Sequence, residues 1–444
     1  MIALARRLRT ADYFTLGFGT MVGVGWLVLM DDWLQRGGPA GVILGFALGG
    51  LALLPIALVY GRLVEAMPDA GSEIAYTAGI FRQEVSFSAG WIMMLAYLIV
   101  CPWEAVAIGR LAAYVFPGLD AVELYRIAGK PVYLPNLLLG LALTAAITLI
   151  NYRGIRLSAS IQKWMTFALL ALFGLFALSA VGRGSIENLR PPFSHGGWVS
   201  VLLVVQIVPY FMTGFESVPK CAEEASPEFR RRGFSRAILL ALAVGVIFYT
   251  SVVALVAYLR PWPALAGQRF ATAVAFEQAF RGRRMVDLLL LAALISLVKI
   301  FNGNFIAASR LLFALGRRGL VHAAFGRIHP QNLTPAVAVL ALGGVTALAT
   351  CLGDAILVPI TEVGSMASAL GWLAACAAFY FRRPAAGERA LALTGMSVAF
   401  LLVLMKLLPV VPGHFTRYEW IAFGIWCAVG LAVRRRAPEP VRVR

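Results

Sequence analysis

Apolar runs of about 18–28 residues follow one another along almost the whole 444-residue chain. Each is long enough to cross roughly 30 Å of hydrocarbon. Lipid offers backbone polar groups no partner, so such runs must be helices or closed barrels. The short alternating segments of a barrel are not seen. The runs fall at about 13–34, 41–64, 87–115, 134–151, 158–181, 198–221, 234–259, 286–315, 335–352, 356–381, 390–411 and 418–433. This pattern predicts an all-α membrane protein of about 12 transmembrane helices. Arg6, Arg7 and Arg9 precede the first run and no small-residue cleavage site follows it, so that run reads as a first span rather than a signal peptide.

Only 14% of residues are charged and the mean hydropathy is +0.80, well below the charge content of a soluble domain. The net charge of +17 has an orientation. Of the 39 Lys and Arg residues, 25 fall on one set of alternate loop segments and 11 on the other, with Arg110, Lys299 and Lys406 inside spans. The positive-inside rule then puts both termini in the cytoplasm, as for a multi-pass protein of a bacterial inner membrane. The charge faces anionic lipid and requires no nucleic acid. The basic stretch 261–284 lies outside against the rule, and 270–280 reads as a short amphipathic helix on the surface.

Several chemistries are excluded. The five cysteines form no Cys-x-x-Cys pair, and the four histidines lie in loops without His-x-x-x-His spacing, so no metal or redox cofactor is expected. No nucleotide-binding Gly-x-x-x-x-Gly-Lys-Ser/Thr loop is present. A nucleophile paired with a base is also missing, so the chain reads as no enzyme. A channel would need a continuous polar stripe, and few helices show one.

Two spans read as broken. The first carries Gly17, Gly19, Gly23 and Gly25; the sixth carries Pro209, Gly214 and Pro219. Glycine lets backbone leave helical angles and proline removes a donor. Paired breaks at corresponding positions of two five-helix halves point to a midplane binding site in an inverted-repeat transporter. Close helix packing through Gly19-x-x-x-Gly23 is the alternative.

Gly19-Thr-Met-Val-Gly-Val-Gly25, Glu65-Ala-Met-Pro-Asp-Ala-Gly-Ser-Glu-Ile-Ala-Tyr76, Gly214-Phe-Glu-Ser with Ala222-Glu-Glu224, and Ser309-Arg-Leu-Leu-Phe-Ala-Leu-Gly-Arg-Arg-Gly-Leu320 with Ile328-His-Pro330 and Thr334-Pro335 occur in an order that resembles the amino acid–polyamine–organocation (APC) superfamily. The resemblance implies a LeuT-type fold with a 5+5 inverted repeat: residues 1–181 and 198–381 as the two halves, 390–433 as two peripheral helices, and 434–444 as a basic tail. It implies secondary active transport of amino acids or related amines, proton-coupled or by exchange. A polyamine- or ethanolamine-type organocation permease is the alternative.

The resemblance also implies that Gly23, Val24 and Gly25 hold a substrate carboxylate at a half-helix N-terminus. Carbonyls near Met21 and Thr213 would take the amine, and Tyr210 falls at an aromatic gate, unless it is only a packing aromatic. Ionisable groups deep in spans are functional candidates. Glu104 could hold a substrate amine or carry a proton, or could pair with Arg110 for structure. Glu216 is a gating or coupling candidate; Glu362 and the pair Asp31–Asp32 are weaker ones.

Many proton-coupled relatives carry a fifth-span lysine whose ammonium occupies the place of a sodium ion. That position falls near Leu169 here, so the lysine is missing. Lys299, midway along the eighth span, could replace the ammonium, hold an anionic substrate group, or pair with a carboxylate. Asn302 and Asn304 are expected to line the pocket. The oligomeric state is left open.

Overall fold

The computed structural model describes residues 3–411 and 413–436, without side-chain placement at 356–359. It is a helical protein whose chain order follows the apolar runs. The first run is α1 (Thr10–Met21), α2 (Gly25–Val28) and the start of α3 (Met30–Ala66). Within α3, Gly38 has φ +62°, a left-handed conformation that glycine adopts without Cβ strain; it separates the first run from the second. The third run is α5 (Gln83–Leu98) and α6 (Val100–Val115), preceded by the short α4 (Glu73–Thr77). Pro102 has no N–H for the carbonyl of Leu98 and its ring crowds that carbonyl, so the helix breaks at Ile99.

A hairpin, β1 (Glu123–Ile127) and β2 (Lys130–Tyr133), turns through Ala128 and Gly129 at positive φ. It was not anticipated, because β1 is almost wholly exposed and the pair buries only Val132, leaving no alternating apolar face to read. Then come α7 (Leu134–Arg153) and α8 (Ile155–Ala180). The sixth run is in three pieces: α9 (Gly197–Val205), α10 (Val208–Met212) and α11 (Ser217–Lys220). After α12 (Arg232–Leu259), α13 (Ala271–Phe280) matches the surface helix expected at 270–280 but not its setting. Ala271, Ala273 and Phe276 are buried, and Thr272 Oγ1 donates to Trp26 O at 2.7 Å. The helix therefore covers α2, the second half of the broken first run. The series closes with α14 (Arg283–Arg317), α15 (Ala336–Thr350), α16 (Leu357–Phe381), α17 (Ala386–Leu407) and α18 (Arg417–Val433).

Eight helices among the described residues are long and apolar enough to cross a membrane. The expected twelve is larger because the first and sixth runs are cut into short pieces, while α15 and α18 have only 15 and 17 residues. Of the basic tail, Arg442 and Arg444 lie outside the described residues.

Candidate functional site

The two broken runs meet. Gly214 has φ +143°, and a Cβ on it would lie 2.5 Å from Met21 N. Only a glycine allows this backbone-to-backbone approach. Around the contact, Val22–Val24 and Thr213–Glu216 are unwound. A small closed space sits against them, walled by Thr20, Met21, Gly23 and Gly25 from the first run and by Tyr210, Phe211 and Thr213 from the sixth. Val100, Trp103 and Glu104 of α6, Tyr249 of α12 and Ile300 of α14 complete it. Its volume of about 10 Å³ is roughly that of one water molecule, so the side chains close over the site.

A helix that stops at Met21 leaves its last carbonyls without helical partners and concentrates negative partial charge there. Five consecutive carbonyls are each met by a side-chain donor. Lys299 Nζ donates to Gly19 O at 3.1 Å and Val22 O at 2.5 Å. Asn304 Nδ2 donates to Thr20 O at 3.0 Å and Tyr249 OH to Met21 O at 3.1 Å. Ser296 Oγ reaches Gly23 O at 2.7 Å and Val22 O at 3.3 Å. Lys299 is fully buried, and its ammonium also lies 5.3 Å over the Phe18 ring, a favourable cation–π placement. The expected position of the missing lysine, Leu169, is a buried leucine.

The other predicted residues divide. Met21, Gly23, Gly25, Glu104, Tyr210 and Thr213 line the space. Glu104 is 2% exposed and its Oε2 has no hydrogen-bond partner. Its alternative partner is elsewhere: Arg110 faces Asp354 at 3.6 Å. Tyr210 packs edge-on against Phe211. Thr213 Oγ1 donates to Pro209 O at 2.6 Å and shares a short hydrogen bond with Ser368 Oγ.

Asn302 is not on the wall. It donates to Ser158 O at 3.2 Å and Gln162 Oε1 at 3.1 Å, and accepts from Asn151 and Ser158. Two residues earlier in a helix is a rotation of about 200°, so Asn302 and Ile300 face opposite ways. Asn304 and Lys299 hold the carbonyls of the first run and, like Val24 within that run, do not line the space. Glu216 lies below it, accepting from Gly214 N at 3.1 Å. Glu362, Asp32 and Arg36 form a separate cluster with Lys406: Arg36 is 2.8 Å from Asp32 and 3.6 Å from Glu362, which pairs with Lys406.

Tyr249, Ser296, Thr20 and Trp103 were not foreseen. Ser296 lies one helical turn before Lys299 on the same face, a signal the sequence did hold. Tyr249 sits in an apolar helix with no local cue. Lys220, grouped with the loop bases, is fully buried. It donates to Glu73 at 2.6 Å, and Tyr60 OH donates to the same oxygen at 2.5 Å.

Residues 8–433 match the amino acid permease family. The methylthioribose transporter of Bacillus subtilis is 25% identical over 97% of this chain and 93% of its own. A branched-chain amino acid permease of the same organism is 27% identical over 84% and 79%. The aromatic amino acid transport protein of Salmonella typhimurium is 24% identical over 79% and 74%. These relatives are transporters, not enzymes. With a family match over nearly its whole length and two broken helices meeting at a closed site, the chain belongs to the amino acid permease family of the APC superfamily.

Proposed function

We propose that the chain carries amino acids or related amines across a bacterial inner membrane through the site between its broken helices, driven by protons or exchange rather than sodium. Twelve spans, arranged as two inverted five-helix halves with two peripheral helices and both termini cytoplasmic, complete the reading. The observation that carries it is the ammonium of Lys299 on the carbonyls of Gly19 and Val22. Unwound carbonyls at a half-helix C-terminus are where transporters of this architecture hold a coupling cation. A fixed positive charge there repels sodium by about 4 kcal/mol at roughly 4 Å and an effective dielectric near 20. Glu104, facing the space, handles a substrate amine or a proton, and Glu216 beneath it couples the site to the cytoplasmic side.

A hydroxylated neutral solute is the second reading. Thr20, Tyr210, Thr213 and Tyr249 give the wall four hydroxyl side chains, and one relative is a methylthioribose transporter. A thermal-shift screen of amino acids, polyamines and neutral thiosugars, followed by proteoliposome uptake of the best ligand, tests the function. Saturable accumulation is expected. Non-saturable flux would indicate a channel and overturn it.

A further inference from the structure

The last helix, α18, is tied to α5 by a reciprocal tryptophan pair. The Trp91 and Trp426 rings stack at 4.6 Å. Each indole N–H donates to the other residue's backbone carbonyl, at 3.0 and 3.1 Å. Beside this tie lies a cavity of about 460 Å³. Its walls include Leu95 and Leu98 of α5, Leu312 of α14, Val345 of α15, and Ile425 and Val429 of α18. Among the described residues no ionisable or hydroxyl side chain lines it, and the two indole donors at its edge are already engaged. An apolar cavity of roughly 150 Å³ stays dry and takes up benzene; this one is far larger and offers water no partner. Close-packed interiors do not keep voids of this size. Val345, Ile425 and Val429 are each at least 43% exposed, so the cavity opens to the surroundings of α18.

Length selects what fills it. The lining runs from Ala422 to Val433, about 16 Å along a helix at 1.5 Å per residue. One leaflet supplies half of roughly 30 Å of hydrocarbon, so the cavity is one acyl chain deep. Charge selects the headgroup. The cavity ends at Val321, Phe325 and Val433, where Arg435 N donates to Leu320 O at 2.8 Å. Arg434 is committed there to Glu84, at 2.5 Å. Arg435, and Arg327 two residues beyond Phe325, are exposed and make no ion pair among the described residues. Basic residues at the end of a pocket between spans suit an anionic lipid headgroup.

We infer that this cavity is a phospholipid site. One acyl chain lies between α5, α15 and α18, and an anionic headgroup rests on Arg327 and Arg435. The inference goes beyond solute transport and uses none of the residues of the solute site.

Photolabelling tests it on the purified full-length protein in phosphatidylcholine vesicles. The probes are trace phosphatidylglycerol and trace phosphatidylcholine carrying the same diazirine acyl chain, with adducts located by peptide mass spectrometry. Phosphatidylglycerol is expected to label residues 94–98 and 422–433 about fivefold or more above phosphatidylcholine, the scale of one basic residue acting on an anionic lipid. The exposed apolar face of α12, with Leu240 and Ile247, should be labelled equally by both. Ala341→Phe with Ala422→Phe, checked for an intact melting transition, fills the cavity and should abolish the excess. Arg327→Gln with Arg435→Gln, two exposed changes, should bring phosphatidylglycerol down to the phosphatidylcholine level. Equal labelling by the two lipids, adducts spread evenly over the cavity and α12, or an excess that survives the arginine changes would overturn the inference. Copies joined through Ile425→Cys with no lipid adduct in the cavity would assign it to a second chain and overturn it as well.

Discussion

Lys299 and Gly214 illustrate how single residues hold the site. Truncating Lys299 to alanine leaves the carbonyls of Gly19 and Val22 without their strongest donor. Each unmet buried acceptor costs about 1–3 kcal/mol, so Lys299→Ala should lower the melting temperature as well as transport. Lys299→Arg should not restore activity fully, because arginine does not release its proton. Gly214→Ala meets the backbone of Met21 rather than a movable side chain, at a φ that alanine adopts only with strain. Transport by that variant should be lost while the protein remains membrane-inserted; wild-type uptake would show that the two broken runs need not touch. At this scale the sequence was informative where depth alone decides. A lysine or glutamate far from either interface must find a partner, so Lys299 and Glu104 stood out. Tyr249 and Asn302 were not legible, because a tyrosine's partner and an asparagine's facing depend on how neighbouring helices pack.

Among the elements, the breaks were readable because glycine and proline act locally: Pro102 stops α5, and Pro209 and Pro219 punctuate the sixth run. What the breaks touch was not readable. The contact between α11 and its surroundings depends on ion pairs whose partners lie far apart in the chain. Lys220 reaches Glu73 in α4, and Arg310 of α14 holds Glu224 bidentately at 2.8 and 3.2 Å. Both pairs are fully buried. Removing one partner of such a pair typically costs about 3–5 kcal/mol because the other charge is stranded. Arg310→Gln should therefore cut the yield of folded protein, and the double variant Arg310→Gln with Glu224→Gln should recover part of it. A double variant no better than the single would show that the two charges do not compensate each other. Lys220 was misread as a loop base because a positive charge at the end of a span looks the same whether it meets water or a distant glutamate.

Considered as a whole molecule, the protein is closed at both ends of the site. Asp32, Arg36, Glu362 and Lys406 bridge one end. On the other, Arg317 reaches Glu223 and Arg318 reaches Asp69 at 2.8 Å. Burial pushes the Glu223 carboxyl up, but hydrogen bonds from Arg317 and the Ala70 N–H, with the nearby guanidinium charges, more than offset it and leave it below the usual carboxylate value. A depressed carboxylate stabilises the fold above its unfolded pKa, and that contribution fades as pH falls through the folded one. Glu223→Gln should accordingly lower the melting temperature at neutral pH, with the gap to the parent closing as pH drops below the ordinary glutamate range. A gap independent of pH would remove this pair from the closure.

Sodium dependence bears most directly on the central assignment, that the ammonium of Lys299 occupies the place of a coupling cation. Proteoliposomes holding the purified protein, assayed for uptake of its best ligand in sodium-free and sodium-containing buffer at the same pH gradient, provide the measurement. Equal uptake in the two buffers, changed by collapsing the pH gradient or by removing counter-substrate, is the expected result. Uptake that occurs only with sodium would contradict the assignment, because a cation cannot be both required and displaced at the carbonyls of Gly19 and Val22.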